Sequence, residues 1–165
     1  MPNPLHARIA VEIEEFARTA GNLTALEEFA VERIASQLPA YNWVGFYWLD
    51  PNDREMLELG AFVGAPTEHT CIPVSRGICG AAVAQGETIV VDDVRADPRY
   101  LACSIETKSE IVVPIRVHGS VLGEIDIDSH NAAAFGAEDR VFLEQCADVI
   151  GAFIEKNQPE ASHKT

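Results

Sequence analysis

The sequence predicts an α+β domain, a central antiparallel sheet with N- and C-terminal helices packed on one side. Helical periodicity is confined to the two ends of the chain, alternating or continuous β-prone runs fill the middle, and several of those runs are joined by turns too short for parallel crossovers. With 165 residues, 47% of them hydrophobic, the chain forms one domain that can bury its own core without disulfides or metals. The expected parts are N-terminal helices over 1–38, the sheet and its loops over 41–128, a C-terminal helix over 137–156 and a tail over 157–165.

Leu5, Ile9, Ile13 and Phe16 recur at helical spacing among charged residues, giving an amphipathic helix that ends near Gly21. Thr24 followed by Glu27 reads as a capping box opening a second helix, whose apolar face of Leu26, Phe29, Ala30 and Ile34 runs to Leu38 and Pro39. From Tyr41 the run Tyr-Asn-Trp-Val-Gly-Phe-Tyr-Trp-Leu is apolar on both faces, as a central strand is. A turn at Asp50 to Asp53 leads into a hairpin partner over Met56 to Phe62, and Gly64 to Thr70 reads as a loop. The alanine-rich stretch Ile78 to Gln85 stops at Gly86, which suits a short helix with a glycine cap, and Thr88 to Val91 is a strand.

Residues 92–108 show no apolar period and contain Asp-Pro, so they form a long excursion. Glu110 to Val117 and Val121 to Asp128 alternate and meet through His118-Gly119-Ser120 in a hairpin. Phe142, Cys146, Val149, Ile150 and Phe153 then mark the final helix.

Charge narrows the function classes. Twelve Lys and Arg against 26 Asp and Glu give a formal charge of −14, which repels phosphate backbones and anionic lipid, so neither nucleic acid nor a membrane is expected as a partner. The N-terminal residues lack a basic start followed by an apolar stretch, and the expected location is cytoplasmic. Cys71, Cys79, Cys103 and Cys146 match no zinc-binding spacing, so neither a structural metal nor a bound cofactor is expected.

In Gly123-Glu124-Ile125-Asp126-Ile127-Asp128-Ser129, strand alternation puts three carboxylates on one face. That face is either solvated or lines a pocket in which like charges raise a pKa and supply a proton, or hold a ligand ammonium group. Cys79 stands at a helix start, where the dipole favours thiolate, or else packs as a small hydrophobe. Cys103 lies in the long excursion with no apolar pattern to explain it as core, which favours a functional thiol. Cys146 sits on an apolar stripe and packs, whereas Cys71, before Ile72-Pro73 at a strand edge, fits either role. Trp43 and Tyr47 share a strand face and either wall a small-molecule pocket or pack as core.

Five ordered blocks carry a family likeness. Asn42-Trp43-Val44-Gly45-Phe46-Tyr47, Ile72 to Gly80, Ala102-Cys103, Ser109 to Pro114 and Asp126-Ile127-Asp128-Ser129 together resemble the free methionine-(R)-sulfoxide reductases, which are single-domain GAF proteins. The resemblance implies a GAF-like fold and an oxidoreductase of the free amino acid. It implies Cys103 as nucleophile, Glu110, Asp126 and Asp128 as substrate-binding carboxylates, and Trp43 and Tyr47 as pocket aromatics. A Cys103 sulfenic acid would condense with a second thiol, Cys79 or Cys71, and thioredoxin would reduce the disulfide.

The chain departs from the pattern at three places. The family's first cysteine falls on His69, or on Glu68 if a gap is shifted, while Cys71 stands directly before Ile72; Ser104 replaces an aspartate; and Gly60 to Gly64 replaces Gly-Pro-Phe-Gln-Gly. The resemblance also carries a second reading, a non-catalytic GAF module that senses a small molecule or an oxidant. The paired terminal helices leave room for a homodimer.

Overall fold

A computed structural model describes residues 3–101 and 104–157. Its elements are helices α1 (Pro4–Thr19) and α2 (Leu23–Gln37), strands β1 (Trp43–Asp50), β2 (Asp53–Val63) and β3 (Cys71–Pro73), helix α3 (Gly77–Gln85), strand β4 (Ile89–Val91), strands β5 (Ser109–Val117) and β6 (Ser120–Ser129), and helix α4 (Ala137–Asn157). The strands form one antiparallel sheet in the order β3-β2-β1-β6-β5-β4. The α+β class expected from the sequence is the one observed. No helix among the described residues is long and apolar enough to cross a membrane.

Strand alternation divides the interior into two layers. Val44, Phe46, Ile111, Val113, Ile115, Ile125 and Ile127 point to one face and pack with the apolar stripes of α1, α2 and α4. Trp43, Tyr47 and Val112 point to the other, where Leu57, Ile72, Ile78, Cys79, Ala82, Ile89 and Val91 form a second cluster under α3. The terminal helices therefore share one side, as expected, and α3 lies on the opposite side. Both faces of β1 are buried, which explains its uninterrupted apolar run.

Two local readings change. The α2 cap is Asn22, whose side chain accepts from the Ala25 amide at 2.8 Å, not Thr24. Glu27 closes no capping box because it is buried against the sheet, where Oε1 accepts from Trp48 Nε1 at 2.9 Å and from the Ala61 amide at 3.2 Å. The long excursion contains a 3₁₀ turn, Val94–Ala96, whose first side chain is buried in the second cluster; one apolar residue is too little to register as a period.

The seat of α3 is tight. Gly77 opens the helix with φ +75°, a left-handed backbone that glycine adopts without strain. A Cβ on Gly80 would collide with the Val74 carbonyl group, backbone that has no side chain to swing away. Gly80→Ala is therefore expected to destabilise the fold by a net ~1 kcal/mol or more despite alanine's better helix propensity. Urea denaturation midpoints check this, and an unchanged or raised midpoint would contradict the packing described.

Candidate functional site

The registers of three neighbouring strands bring the sequence-predicted residues onto one face. Trp43 pairs with Asp128, Gly45 with Asp126 and Tyr47 with Glu124 across β1 and β6, and Glu110 pairs with Asp128 across β5 and β6. Val112, on the same face of β5, lies beside Asp126. The alternation read in β6 is thus correct, but the face is not solvated: Glu124, Asp126, Asp128 and Glu110 are 0%, 2%, 4% and 5% exposed. Burial comes from elements distant in sequence, α3 above β5 and β6 and the loop between β2 and β3.

The two ring donors of β1 tie that loop down. Trp43 Nε1 donates to the Ala65 carbonyl at 3.1 Å, and the Tyr47 hydroxyl donates to the His69 carbonyl at 2.7 Å. The Trp43 indole stacks on Phe62 with ring centroids 5.5 Å apart and lies across Gly45, where any Cβ would strike it. Both aromatics are buried in the cluster that borders the carboxylates, so they serve the core and the pocket wall together. Trp43 and Asp128 line a cavity of about 110 Å³ with Asn42, Pro66, Thr67, Ser104 and His130. Next to it, Cys79, Glu110 and Asp126 line a smaller hollow with Ile72, Gly77 and Leu101. A larger surface groove of about 570 Å³ runs past Arg76, Gln85 and Arg99 and contains none of these carboxylates.

The thiols separate by position. Cys79, in the first turn of α3, has its sulfur within 4.8 Å of a Glu110 oxygen and an Asp126 oxygen. Burial pushes this thiol well above its ordinary pKa, and the charges of Asp126, Glu124 and Glu110 push it further. The helix start expected to favour thiolate is therefore overruled by its surroundings, which sequence spacing could not show. Cys71 is exposed, and it sits on the opposite face of the sheet, because the adjacent Ile72 points into the pocket layer. Cys146 packs in the helical layer, its thiol pushed up to about 12 by burial. Cys103 lies outside the described residues; its described neighbours Leu101 and Ser104 line the smaller hollow and the cavity respectively.

Glu124 is the carboxylate whose depth only the structure reveals. Among the described residues, neither of its oxygens finds an N–H or O–H donor, and one oxygen each of Asp126 and Asp128 is likewise buried without a hydrogen-bond partner. Burial raises the pKa of Glu124, Asp126 and Asp128, with the charge of Asp126 adding to the rise at Glu124 and Asp128. Contacts from Cys79 to Glu124, and from Glu110 to Asp126 and Asp128, offset part of this. The groups acting on these acids are one another and Cys79; no Lys, Arg or His is among them. Such a site has proton-donating groups ready and electrostatic demand for a cation.

Comparison with known proteins agrees with the geometry. Residues 14–154 match the model of the GAF domain. The chain is 36% identical over 132 residues to the free methionine-R-sulfoxide reductase of Escherichia coli, covering 79% of this chain and 72% of the relative. A structure of the free methionine-R-sulfoxide reductase of Neisseria meningitidis in complex with its substrate superposes with a TM-score of 0.88 at 33% identity, over 93% of this chain and 90% of that one. The substrate complex of the Staphylococcus aureus protein gives 0.83 at 31% identity, over 93% and 99%.

The buried acids have a consequence for stability. Their pKa values lie higher in the folded chain than in the unfolded one, so above the ordinary carboxylate range the folded state holds more protons. Stability is fully present below the unfolded pKa and falls as pH rises toward the folded values, by up to about 1.4 kcal/mol per pH unit for each such group. Glu124→Gln keeps the shape and removes one titration, and is expected to flatten the decline between about pH 5 and pH 8. Denaturation midpoints across that range test this; parallel slopes in variant and wild type would contradict it.

Proposed function

The chain belongs to the GAF-domain family and, within it, to the free methionine-R-sulfoxide reductases, and from that premise we propose that it reduces free L-methionine-(R)-sulfoxide to L-methionine. The observation that carries the reading is the burial of Glu110, Asp126 and Asp128 on one sheet face with Trp43 and Cys79, where the groups that shift Asp126 and Asp128 are other acids and Cys79. The free amino acid brings an α-ammonium group that this pocket demands, and a methyl sulfoxide end that the indole can cover.

In this reading Cys103 is the nucleophile. Its sulfur attacks the sulfoxide sulfur, a buried carboxyl protonates the sulfoxide oxygen, and oxygen passes to Cys103 as methionine leaves. Cys103 is thereby oxidised to a sulfenic acid and the substrate sulfur is reduced to a thioether. The raised pKa values of Asp126 and Asp128 support the proton-donating role, and Leu101 and Ser104 bring the chain on either side of Cys103 to the pocket rim.

Cys79 is the favoured resolving thiol. It lines the hollow with Glu110 and Asp126, whereas Cys71 is exposed on the far side of the sheet. Attack of Cys79 on the sulfenic acid forms the disulfide, and the thiol proton leaves with the sulfenic hydroxyl as water. Thioredoxin, as external dithiol, then supplies the two electrons that restore both thiols. Position 69 carries histidine in place of the family's first cysteine, and this route does not require a thiol there.

NADPH consumption in the presence of methionine sulfoxide, thioredoxin and its reductase tests this. Wild type is expected to turn over, and Cys103→Ser to fall to background. Cys79→Ser is expected to release about one methionine per chain and then stop with thioredoxin, while Cys71→Ser continues to turn over. Equal rates for wild type and Cys103→Ser would overturn the enzyme reading and return the pocket to ligand sensing.

A further inference from the structure

We propose that the pocket is also a site for a borderline divalent cation of the zinc class, held by Cys79, Glu110 and Asp126 with Glu124 behind them. The ligand atoms of Cys79, Glu110 and Asp126 all lie within 4.8 Å of one another, and all three residues are buried. Tetrahedral zinc with sulfur and oxygen ligands holds its donors about 3.5 Å apart, so a closure of roughly 1 Å between side-chain tips completes the set. These three residues come from α3, β5 and β6, and no sequence spacing reveals them.

A second observation points independently to a bound cation. Both oxygens of Glu124 and one oxygen of Asp126 are buried with no N–H or O–H partner. Glu124 is fully inaccessible and in contact with the Cys79 thiol. Among the described residues, no Lys, Arg or His is among the groups that shift Glu124, Asp126 and Asp128, so protons or an entering cation compensate these three acids. The three ligands line one small hollow, which Gly77 and Leu101 border.

The donor chemistry selects the metal. One thiolate among carboxylates favours Zn²⁺, Cd²⁺ or Co²⁺ over Mg²⁺ and Ca²⁺, which take oxygen ligands. Binding replaces the Cys79 thiol proton with a sulfur–metal bond and releases that proton to solvent, with no change of oxidation state. The same carboxylates cannot hold a metal and a substrate ammonium together, so the metal is a competitive inhibitor and shields Cys79 from oxidation. The site rests on the pocket's geometry; only the competition with substrate rests on the reductase reading.

The test uses the whole reduced chain. Zn²⁺ alone is titrated by calorimetry, and Co²⁺ alone is followed by the thiolate-to-metal charge-transfer absorption. One ion per chain is expected, with the absorption lost in Cys79→Ser and Zn²⁺ affinity reduced at least about tenfold in Asp126→Asn. Cys71→Ser is expected to bind as wild type does, and saturating methionine sulfoxide to displace the ion. Absence of binding in wild type, or a charge-transfer absorption that survives in Cys79→Ser, would overturn the site. Turnover without metal binding removes this inference alone, and metal binding without turnover removes the reductase reading alone. Circular dichroism of both variants, with Cys79→Ala as a second probe of the sulfur ligand, separates ligand loss from misfolding.

Discussion

Four carboxyl groups, Glu110, Glu124, Asp126 and Asp128, are buried on one face of the sheet, and among the described residues no Lys, Arg or His is among the groups that shift Glu124, Asp126 and Asp128. Burying ionised groups without partners costs several kcal/mol each, so they retain protons or wait for a cation. The rest of the molecule is arranged to tolerate this. The helical layer of α1, α2 and α4 packs Ile, Val, Leu and Phe against the opposite face and supplies the apolar burial that holds the sheet together. The acidic face is then left to a thinner cover of α3 and the β2–β3 loop.

The loop is held by the Trp43 and Tyr47 ring donors, and α3 is seated on its apolar cluster with the close approach of Gly80 to Val74. Cys79 arrives in the cluster on α3 and feels the same field as the carboxylates, which keeps it protonated until a reaction or a metal removes the proton. A cationic ligand, a protonated acid and a silent thiol are three outcomes of one electrostatic condition.

Much of this was legible in the sequence. Period 3.6 at the ends and period 2 in β5 and β6 gave the helices and the central hairpin, because those elements carry their own amphipathic signal. The five blocks of likeness led to Trp43, Tyr47, Glu110, Asp126 and Asp128, all of which the fold brings to one face. Alternation also put Glu124 beside Asp126, but its depth was hidden, since burial there is imposed by α3 from more than thirty residues away. For Cys79 the sequence left thiolate and core packing open, and burial together with long-range carboxylates decides against the thiolate. The α2 cap was misplaced because Glu27 is drawn into the sheet by Trp48 and Ala61.

We propose that the buried acids hold a cation and that the free amino acid is bound through its ammonium group. Calorimetric comparison of methionine-(R)-sulfoxide with its desamino analogue, on Cys103→Ser so that no chemistry follows, isolates that group without adding bulk. Loss of the ammonium is expected to weaken binding at least about 30-fold, the equivalent of ~2 kcal/mol for removing one partner of a buried charge pair. Equal affinity for the two ligands would contradict the claim.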